Sequence, residues 1–315
     1  MNRKAIIFGI KGYYLTKHEN YLLKKNKPWG IILFKRNIKN IKQLKFLVKE
    51  IKNIFNDKKF PILIDQEGGT VSRLDNIINY KLFSQSFFGD LYIRDKKLFN
   101  KAYEIYINSI CEIFNNVGIN INTLPVLDVK NNKRNNFIAS RSFSSNSKIV
   151  TLLGNKCISL HNYNKIGTVA KHIPGHGNSN IDSHKKTPVI RTKKSILIKK
   201  DFRPFFYCDS MFAMTAHIIY SSYDKFNTAT HSKKIISNVI RGDINFKGIL
   251  ISDDISMKSL KYGLANNAVK ALDAGCNLVL HCNGNIKEMW KLSKVIPNID
   301  IFTQKKTSQF YKFLG

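Results

Sequence analysis

The sequence lacks two features that would assign it to a common protein class at once. No run of about 18 apolar residues occurs, so no segment is long enough to cross a membrane. No Cys-x-x-Cys pair occurs either, and the five cysteines are an odd number at wide spacing. Such a set suits neither a disulfide framework nor a common zinc site, so we expect reduced, buried thiols in a cytoplasmic protein. The cysteines are Cys111, Cys157, Cys208, Cys276 and Cys282.

Acidic residues are also scarce. The chain has 21 Asp and Glu against 52 Lys and Arg, which gives a net charge of +31. This charge raises the hypothesis of a nucleic-acid-binding protein, which would show clustered basic residues and stacking aromatic residues. The lysines are instead spread along the chain and accompany Asn and Ile, as in segment 36–42, a composition that an AT-rich genome produces. We therefore expect no nucleic-acid partner, and the charge leaves the fold open.

The N-terminus is basic but carries only a short apolar run. Residues 5–10 are apolar, and Lys11 ends the run. Because no small-residue cleavage site follows, the pattern predicts a strand rather than a signal peptide, and we expect no membrane association.

Eight short apolar runs recur with room for a helix between successive runs. They are mostly continuous rather than alternating, which is typical of strands buried on both faces of a parallel sheet. No glycine-rich dinucleotide motif follows the first run, which argues against the open doubly wound alternative. The 315 residues suit one (β/α)₈ barrel of TIM type as a single domain. The runs are 5–9, 30–34, 61–65, 120–126, 167–171, 212–215, 248–252 and 277–281.

Helices are predicted between these runs from apolar residues at helical spacing. The segments 41–55 and 98–114 show this spacing, and the second should stop near Gly118. The segment 265–274 should end at Gly275 as a C-cap. The basic run 193–200 is predicted to be a solvated helix face, and the Asn-rich stretch 130–136 a loop.

Polar residues gather where the predicted strands end, and in a barrel these ends meet on one face. Asp253 and Asp254 end an apolar strand; one carboxylate could act on a substrate while the other caps local N–H groups. Asp182 precedes His184 by two residues in a polar loop, where an Asp can orient an imidazole. A surface turn with an incidental His stays open, as does metal binding by histidines of this region, although their spacing matches no common zinc motif.

Several segments resemble the bacterial β-N-acetylglucosaminidases (β-hexosaminidases) of glycoside hydrolase family 3, of the short, single-domain cytoplasmic type. Two of them, KHIPGHG at 171–177 and SDDISM at 252–257, are highly specific, and all occur in the family's order. Ala139, Ser140 and Thr70 depart from the family pattern. The other segments are IDQEGG at 64–69 with Arg73, LPVLDV at 124–129, RSF at 141–143, DSH at 182–184, MTAH at 214–217 and DAGC at 273–276.

The resemblance implies a retaining glycosidase whose catalytic domain spans residues 1–315. It implies that Asp253 is the nucleophile and that His184 is the general acid/base with Asp182 as its partner. The implied substrate is a peptidoglycan fragment with terminal N-acetylglucosamine on anhydro-N-acetylmuramic acid, cleaved in the cytoplasm during cell-wall recycling. We expect a monomer without a metal or cofactor. The sugar-binding residues implied are Asp65, Arg73, Arg141, Lys171 and His172.

Three alternatives stay open beside this interpretation. A β-glucosidase of the same family would usually carry Trp rather than a second Asp after the nucleophile and would lack the loop Asp-x-His. A basic nucleic-acid-binding protein is the second alternative, and a decayed enzyme is the third; intact motifs at every strand end argue against decay.

Overall fold

A closed barrel of eight parallel strands forms the centre of the protein. The computed structural model describes residues 2–131, 138–179 and 186–315. The barrel strands are β1 Lys4–Gly9, β2 Pro28–Leu33, β3 Ile62–Ile64, β4 Ile121–Asn122, β5 Gly167–Ile173, β7 Phe212–Thr215, β9 Ile249–Asp254 and β10 Leu278–His281. Around the barrel the strands follow the order β1, β10, β9, β7, β5, β4, β3, β2, and β1 pairs with both β10 and β2.

Each of the eight predicted runs overlaps one of these strands, so the predicted (β/α)₈ barrel is confirmed. All residues of β2 and of β5 are buried, because the barrel interior covers one face of each strand and the helices cover the other. Two further strands, β6 Val189–Ile190 and β8 Ile219–Tyr220, pair outside the barrel and were not predicted.

Helices pack around the barrel between successive strands. The long helix α4 ends at Gly118, whose φ of 89° is left-handed, and α8 ends at Gly275 with φ of 116°, as predicted. The basic run 193–200 contains α6, in which Leu197 is buried, whereas the Asn-rich stretch 130–136 lies mostly outside the described residues. The α-helices are α1 Lys17–Asn26, α2 Ile41–Ile54, α3 Gln85–Arg94, α4 Lys96–Val117, α5 Ser147–Tyr163, α6 Lys194–Lys199, α7 Arg203–Phe206, α8 Leu264–Ala274, α9 Ile286–Val295 and α10 Ile301–Phe313.

Three other helical segments occur among the residues that the structure describes. Lys35–Asn37 and Ala229–His231 are short 3₁₀ turns, and Ile235–Asp243 is a π-helix. Within the described residues, no helix combines the length and the apolar character that crossing a membrane requires.

The N-terminal end of the barrel is closed by α10. Phe310 of this helix packs edge-on against Phe212 at a centroid distance of 5.2 Å, and both side chains are buried. The indole N–H of Trp29 donates to the Thr307 hydroxyl at 2.9 Å and fixes α10 under β2. Because α10 covers this end, we expect a ligand to enter from the C-terminal ends of the barrel strands.

Candidate active site

A cavity of about 140 Å³ opens at the C-terminal ends of the barrel strands. It unites residues that are far apart in sequence and that lie on or after seven different barrel strands. Its lining comprises Ile32, Phe34, Asp65, Arg73, Thr123, Arg141, Lys171, His172, Met214, Asp253, Asp254, Met257, Leu280 and Cys282. All the predicted sugar-binding residues and the predicted nucleophile therefore face one cavity.

The polar half of the cavity is built on Lys171, whose side chain is 3% exposed. Its ammonium group lies 2.6 Å from Glu67 Oε1 and donates a second hydrogen bond to Asp65 Oδ1. A third donation goes to the Thr123 hydroxyl at 3.0 Å. A buried ammonium group has three N–H donors, and here each has an oxygen partner.

Two arginines complete the network. Arg73 Nη2 donates to Asp65 Oδ2 at 2.7 Å. Arg141 makes a bidentate pair with Glu67, because its Nε and Nη2 each donate to one carboxylate oxygen at 2.8 Å. Bidentate pairing fixes the plane of the guanidinium group, so the position of Arg141 follows from that of Glu67.

The charges of this network favour the ionised forms of Asp65, Glu67 and Lys171. Burial alone would raise the pKa of the Asp65 carboxyl, but the charges of Lys171 and Arg73 outweigh burial and hold that pKa well below its ordinary value. The pKa of Glu67 is likewise lowered, because Arg141 and Lys171 outweigh its burial. Burial lowers the pKa of Lys171, yet the two carboxylates raise it above its ordinary value. The network thus pairs three cations with two carboxylates, and the carboxylates of Asp253 and Asp254 also line the cavity.

The turn after β3 places Asp65 and Glu67. Asn122 of β4 holds the backbone of Gln66 on both sides: its Oδ1 accepts the Gln66 N–H at 3.2 Å, and its Nδ2 donates to the Gln66 carbonyl at 3.1 Å. Gly68 follows with φ of 82°, and a Cβ on it would lie 2.2 Å from the Phe83 carbonyl oxygen. Only glycine fits there, which explains the Gly after the acidic residues.

Lys171 and His172 are consecutive on β5, and both line the cavity. Neighbouring residues of a regular strand point to opposite faces, but the pairing of β5 with β7 shifts register between Lys171 and Ile173. This irregularity turns both side chains toward the same side. The His172 ring is then held by Asp128, whose Oδ2 lies 2.7 Å from Nδ1. Asp128 is fully buried, and its Oδ1 also accepts the backbone N–H of His172 at 3.2 Å.

The two aspartates at the end of β9 have different surroundings. Both carboxylate oxygens of Asp254 bind the neighbouring residue Ser256. Its Oδ1 accepts the Ser256 N–H at 3.0 Å, and its Oδ2 accepts the Ser256 hydroxyl at 2.8 Å. The Asp254 carbonyl oxygen contacts His217 Nε2 at 3.0 Å. Asp253 is half-buried, and its Oδ1 accepts the Asp254 N–H at 2.8 Å. Both aspartates line the cavity, and the carboxylate of the second also holds the following turn.

Apolar side chains line the cavity together with the charged ones, namely Ile32, Phe34, Met214, Met257 and Leu280. Phe34 lies beside the polar network, since the Arg73 guanidinium carbon is 5.4 Å from its ring centroid. A lining that mixes polar and apolar groups suits a ligand that has both hydroxyl groups and carbon-bound hydrogens or a methyl group. A sugar ring has this distribution.

Three polar residues of the site were not assigned from the sequence: Glu67, Thr123 and Asp128. Glu67 follows Asp65 by two residues in the same turn, and this proximity was the one sequence feature that could have pointed to a role for Glu67. Thr123 and Asp128 follow β4, and only their contacts across the barrel reveal their roles. Asp182 and His184, the predicted acid/base pair, lie outside the described residues.

Histidines of this region were also considered as metal ligands. His172 and His176 stack edge-on at a centroid distance of 5.6 Å, and the Nδ1 of His172 contacts Asp128. Within residues 2–131, 138–179 and 186–315, no group of three or more His, Cys, Asp or Glu is arranged to hold a metal ion.

Comparison with known families decides the family. The model described as the N-terminal domain of glycosyl hydrolase family 3 matches residues 10–310. The chain belongs to glycosyl hydrolase family 3. This confirms the resemblance drawn from the motifs.

Individual relatives agree with this membership. The chain is 32% identical to the β-hexosaminidase of Haemophilus influenzae over 289 residues, which cover 89% of this chain and 79% of that protein. It is 31% identical to the β-hexosaminidase of Psychromonas ingrahamii over 98% of this chain and 89% of that one. The solved structure of NagZ from Neisseria gonorrhoeae, in complex with N-trifluoroacetyl-D-glucosamine, is 27% identical with a TM-score of 0.88, covering 100% of this chain and 90% of that chain.

Proposed function

We propose that this family 3 chain is a β-N-acetylhexosaminidase, a retaining exo-acting enzyme that removes terminal N-acetylglucosamine from peptidoglycan fragments. The observation that carries the proposal is the single cavity in which the cationic network around Asp65 faces Asp253. Curated β-hexosaminidases about 31% identical over most of the chain support this activity.

The small cavity supports cleavage at the chain end. An engineered cavity of about 150 Å³ accommodates one benzene ring, and the cavity here measures about 140 Å³. The cavity opens at the C-terminal ends of the strands, and we expect it to hold one terminal sugar ring. The bond that is cleaved would then lie at the opening of the cavity. We assign the ring hydroxyls to Asp65, Arg73 and Lys171, and contacts with hydroxyls and the N-acetyl region to Arg141 and His172.

The chemistry would proceed in two displacements. Asp253 attacks the anomeric carbon, the bond from that carbon to the leaving oxygen breaks, and His184 donates a proton to the leaving oxygen. A glycosyl ester on Asp253 results. His184 then takes a proton from water, the water oxygen attacks the anomeric carbon, and the ester bond to Asp253 breaks, which returns both groups to their starting states.

The pairing of an imidazole with one carboxylate makes physical sense. An imidazole titrates near neutral pH, so His184 can both give and take the proton, and Asp182 would orient its ring. A neutral base also avoids placing a second anion beside Asp253. The cleavage would serve cell-wall recycling in the cytoplasm, which accords with five free cysteines, of which three are buried. We also propose that the catalytic domain spans the whole chain, residues 1–315. The enzyme would act as a monomer.

Hydrolysis of two chromogenic glycosides by the purified protein tests the proposal. We expect release from the β-N-acetylglucosaminide and not from the β-glucoside, and complete loss in Asp253→Ala. The matched control is Asp90→Ala, because Asp90 is exposed on α3 and is not among the residues that line the cavity. Release from the glucoside alone would support the β-glucosidase alternative, and release from neither would overturn the proposal.

A further inference from the structure

The strand that carries the proposed nucleophile is irregular where it pairs with β10. Ile251 of β9 pairs with Leu278 of β10, and the next pair joins Asp254 with Leu280. The two residues between Ile251 and Asp254 therefore stand opposite a single residue of β10 and form a β-bulge, the β9 bulge. Neighbouring residues of a regular strand point to opposite faces, so the bulge explains why Asp253 and Asp254 both line the cavity.

Toward β10 the β9 bulge is held by a side chain and by the backbone. The hydroxyl oxygen of Ser252, a buried residue of the bulge, accepts the Leu280 N–H at 3.1 Å, whereas a regular ladder uses a backbone carbonyl. The Leu280 carbonyl then accepts the Ile255 N–H at 3.0 Å. Strand β10 therefore fixes the chain immediately before and immediately after the two aspartates.

Toward β7 a histidine continues the contact after the ladder has ended. The pairing of β7 with β9 stops at Met214 and Ile251, before the bulge. His217 lies two residues beyond the end of β7 and is buried, and its Nε2 is 3.0 Å from the Asp254 carbonyl oxygen. Because a carbonyl oxygen only accepts, Nε2 carries the proton and donates. His217 thus joins the end of the bulge to the segment after β7.

The tautomer of His217 is set by Thr230. When a neutral imidazole carries its proton on Nε2, Nδ1 is an acceptor, and the Thr230 hydroxyl lies 2.7 Å from it. The Thr215 hydroxyl lies 2.8 Å from the same oxygen and supplies that oxygen with a donor. Burial lowers the pKa of His217 below its ordinary value, although the charges of Asp253 and Asp254 act in the opposite direction. The ring is therefore a neutral Nε2–H donor.

We infer that His217 is a positioning residue for the nucleophile. By donating to the Asp254 carbonyl, it holds the β9 bulge in the conformation that presents the Asp253 carboxylate to the cavity. This inference rests on the proposed function, in which Asp253 attacks the anomeric carbon. His217 is not among the residues that line the cavity, so it acts on the reaction through the bulge and not through contact with the substrate.

The test compares two substitutions that differ in the N–H donor. Gln can place an amide N–H where His217 has Nε2–H, whereas Met is an unbranched side chain of similar length without a donor. The probe is an N-acetylglucosamine derivative with a ring fluorine and a fluoride leaving group, which forms an ester with Asp253 as the bond to fluoride breaks. Mass spectrometry of the intact protein over time gives the labelling rate and the final labelled fraction. The final fraction counts the competent sites, so a partly unfolded variant is recognised.

We expect His217→Met to be labelled at least about tenfold more slowly than the wild-type protein, because misplacing reacting groups by about 1 Å can cost about 10²-fold in rate. Its final labelled fraction should equal that of the wild-type protein. Its KM for a chromogenic β-N-acetylglucosaminide should change less than about twofold, because the sugar-binding network is intact. His217→Gln should be labelled within about threefold of the wild-type rate, since it keeps the hydrogen bond.

A labelling rate of His217→Met equal to that of the wild-type protein, or equal losses in the Met and Gln variants, would overturn the inference. A lower final fraction at an unchanged rate would also contradict it, because His217 would then serve folding alone. The wild-type protein separates this inference from the proposed function. If the wild-type protein is not labelled on Asp253, the proposed function fails; if it is labelled and His217→Met keeps pace with it, the inference fails alone.

Thr230 offers a second test that leaves His217 in place. Thr230→Val removes the hydroxyl that sets the tautomer, and Thr230→Ser is the matched control that keeps it. We expect slower labelling in the Val variant than in the Ser variant, with equal final fractions. This pair decides the question if His217→Met does not fold, and equal labelling rates in the two variants would count against the inference.

Discussion

Replacing Glu67 with Gln should damage both stability and activity, because its carboxylate anchors two buried cations. The Glu67 side chain is 1% exposed, with Arg141 at 2.8 Å and Lys171 at 2.6 Å. Removing one partner of a buried ion pair costs about 3–5 kcal/mol. The amide oxygen of Gln still accepts one hydrogen bond, so we expect a loss of about 3 kcal/mol in the free energy of unfolding.

Activity should fall as well. Arg141 and Lys171 would lose the group that fixes their positions, and misplacement by about 1 Å can cost about 10²-fold in rate. Urea denaturation followed by circular dichroism gives the unfolding free energy, and hydrolysis of a chromogenic N-acetylglucosaminide gives kcat/KM. Glu104→Gln is the control, since Glu104 is exposed on α4 and its change should stay within about 0.5 kcal/mol. A loss below about 1 kcal/mol for Glu67→Gln, or full activity, would refute the role given to the network.

The effect should depend on pH with a defined sign. The pKa of Glu67 lies below its ordinary value of 4.5 in the folded protein. Its stabilising contribution is therefore complete above about pH 4.5 and is lost as pH falls through the lowered pKa. The difference in unfolding free energy between the wild-type protein and Glu67→Gln should be constant near pH 7 and shrink in acid.

Three further predictions follow from the site and its supports. Asp128→Asn should lower kcat/KM by more than about tenfold, because the His172 ring loses its carboxylate partner and can change tautomer; unchanged ¹⁵N shifts of that ring would contradict this. His184→Ala should slow turnover at least about 10²-fold in steady-state assays. A variant that turns over at the wild-type rate would show that another residue is the acid/base. Burial raises the pKa of Asp201 to about 7 from 3.8, so the wild-type unfolding free energy should fall as pH rises from about 4 to about 7. Asp201→Asn should remove that slope in urea titrations, and an unchanged slope would assign it to another group.

The barrel could be predicted because its signal is local. Each strand is a short apolar run, and helical spacing lies between the runs, as in the segments that became β2 and α2. The fourth strand shows the limit of such a pattern. The apolar run 120–126 suggested a long strand, yet β4 covers only Ile121–Asn122. Pro125 has no N–H to donate to a ladder. At the start of the run, the Asn120 side chain rather than its backbone links the chain to β3, because its Oδ1 accepts the Ile62 N–H at 2.8 Å.

The site could be predicted only in part. The motifs pointed to Asp65, Arg141, Lys171, His172 and Asp253, which the fold brings to one cavity. The pairs that fix these side chains join residues that are remote in sequence, so no spacing rule reveals them. Glu67 contacts Arg141 across 74 positions, and Asp65 contacts Lys171 across 106.

The most direct test of the account is to trap the covalent intermediate. An N-acetylglucosamine derivative with a fluorine on the ring and a fluoride leaving group slows the second displacement, so the glycosyl-enzyme should accumulate. Mass spectrometry of the intact protein, followed by peptide mapping, should find one added sugar on Asp253 and none in Asp253→Ala. An adduct on another residue, or steady hydrolysis of the derivative by Asp253→Ala, would contradict a retaining mechanism through Asp253.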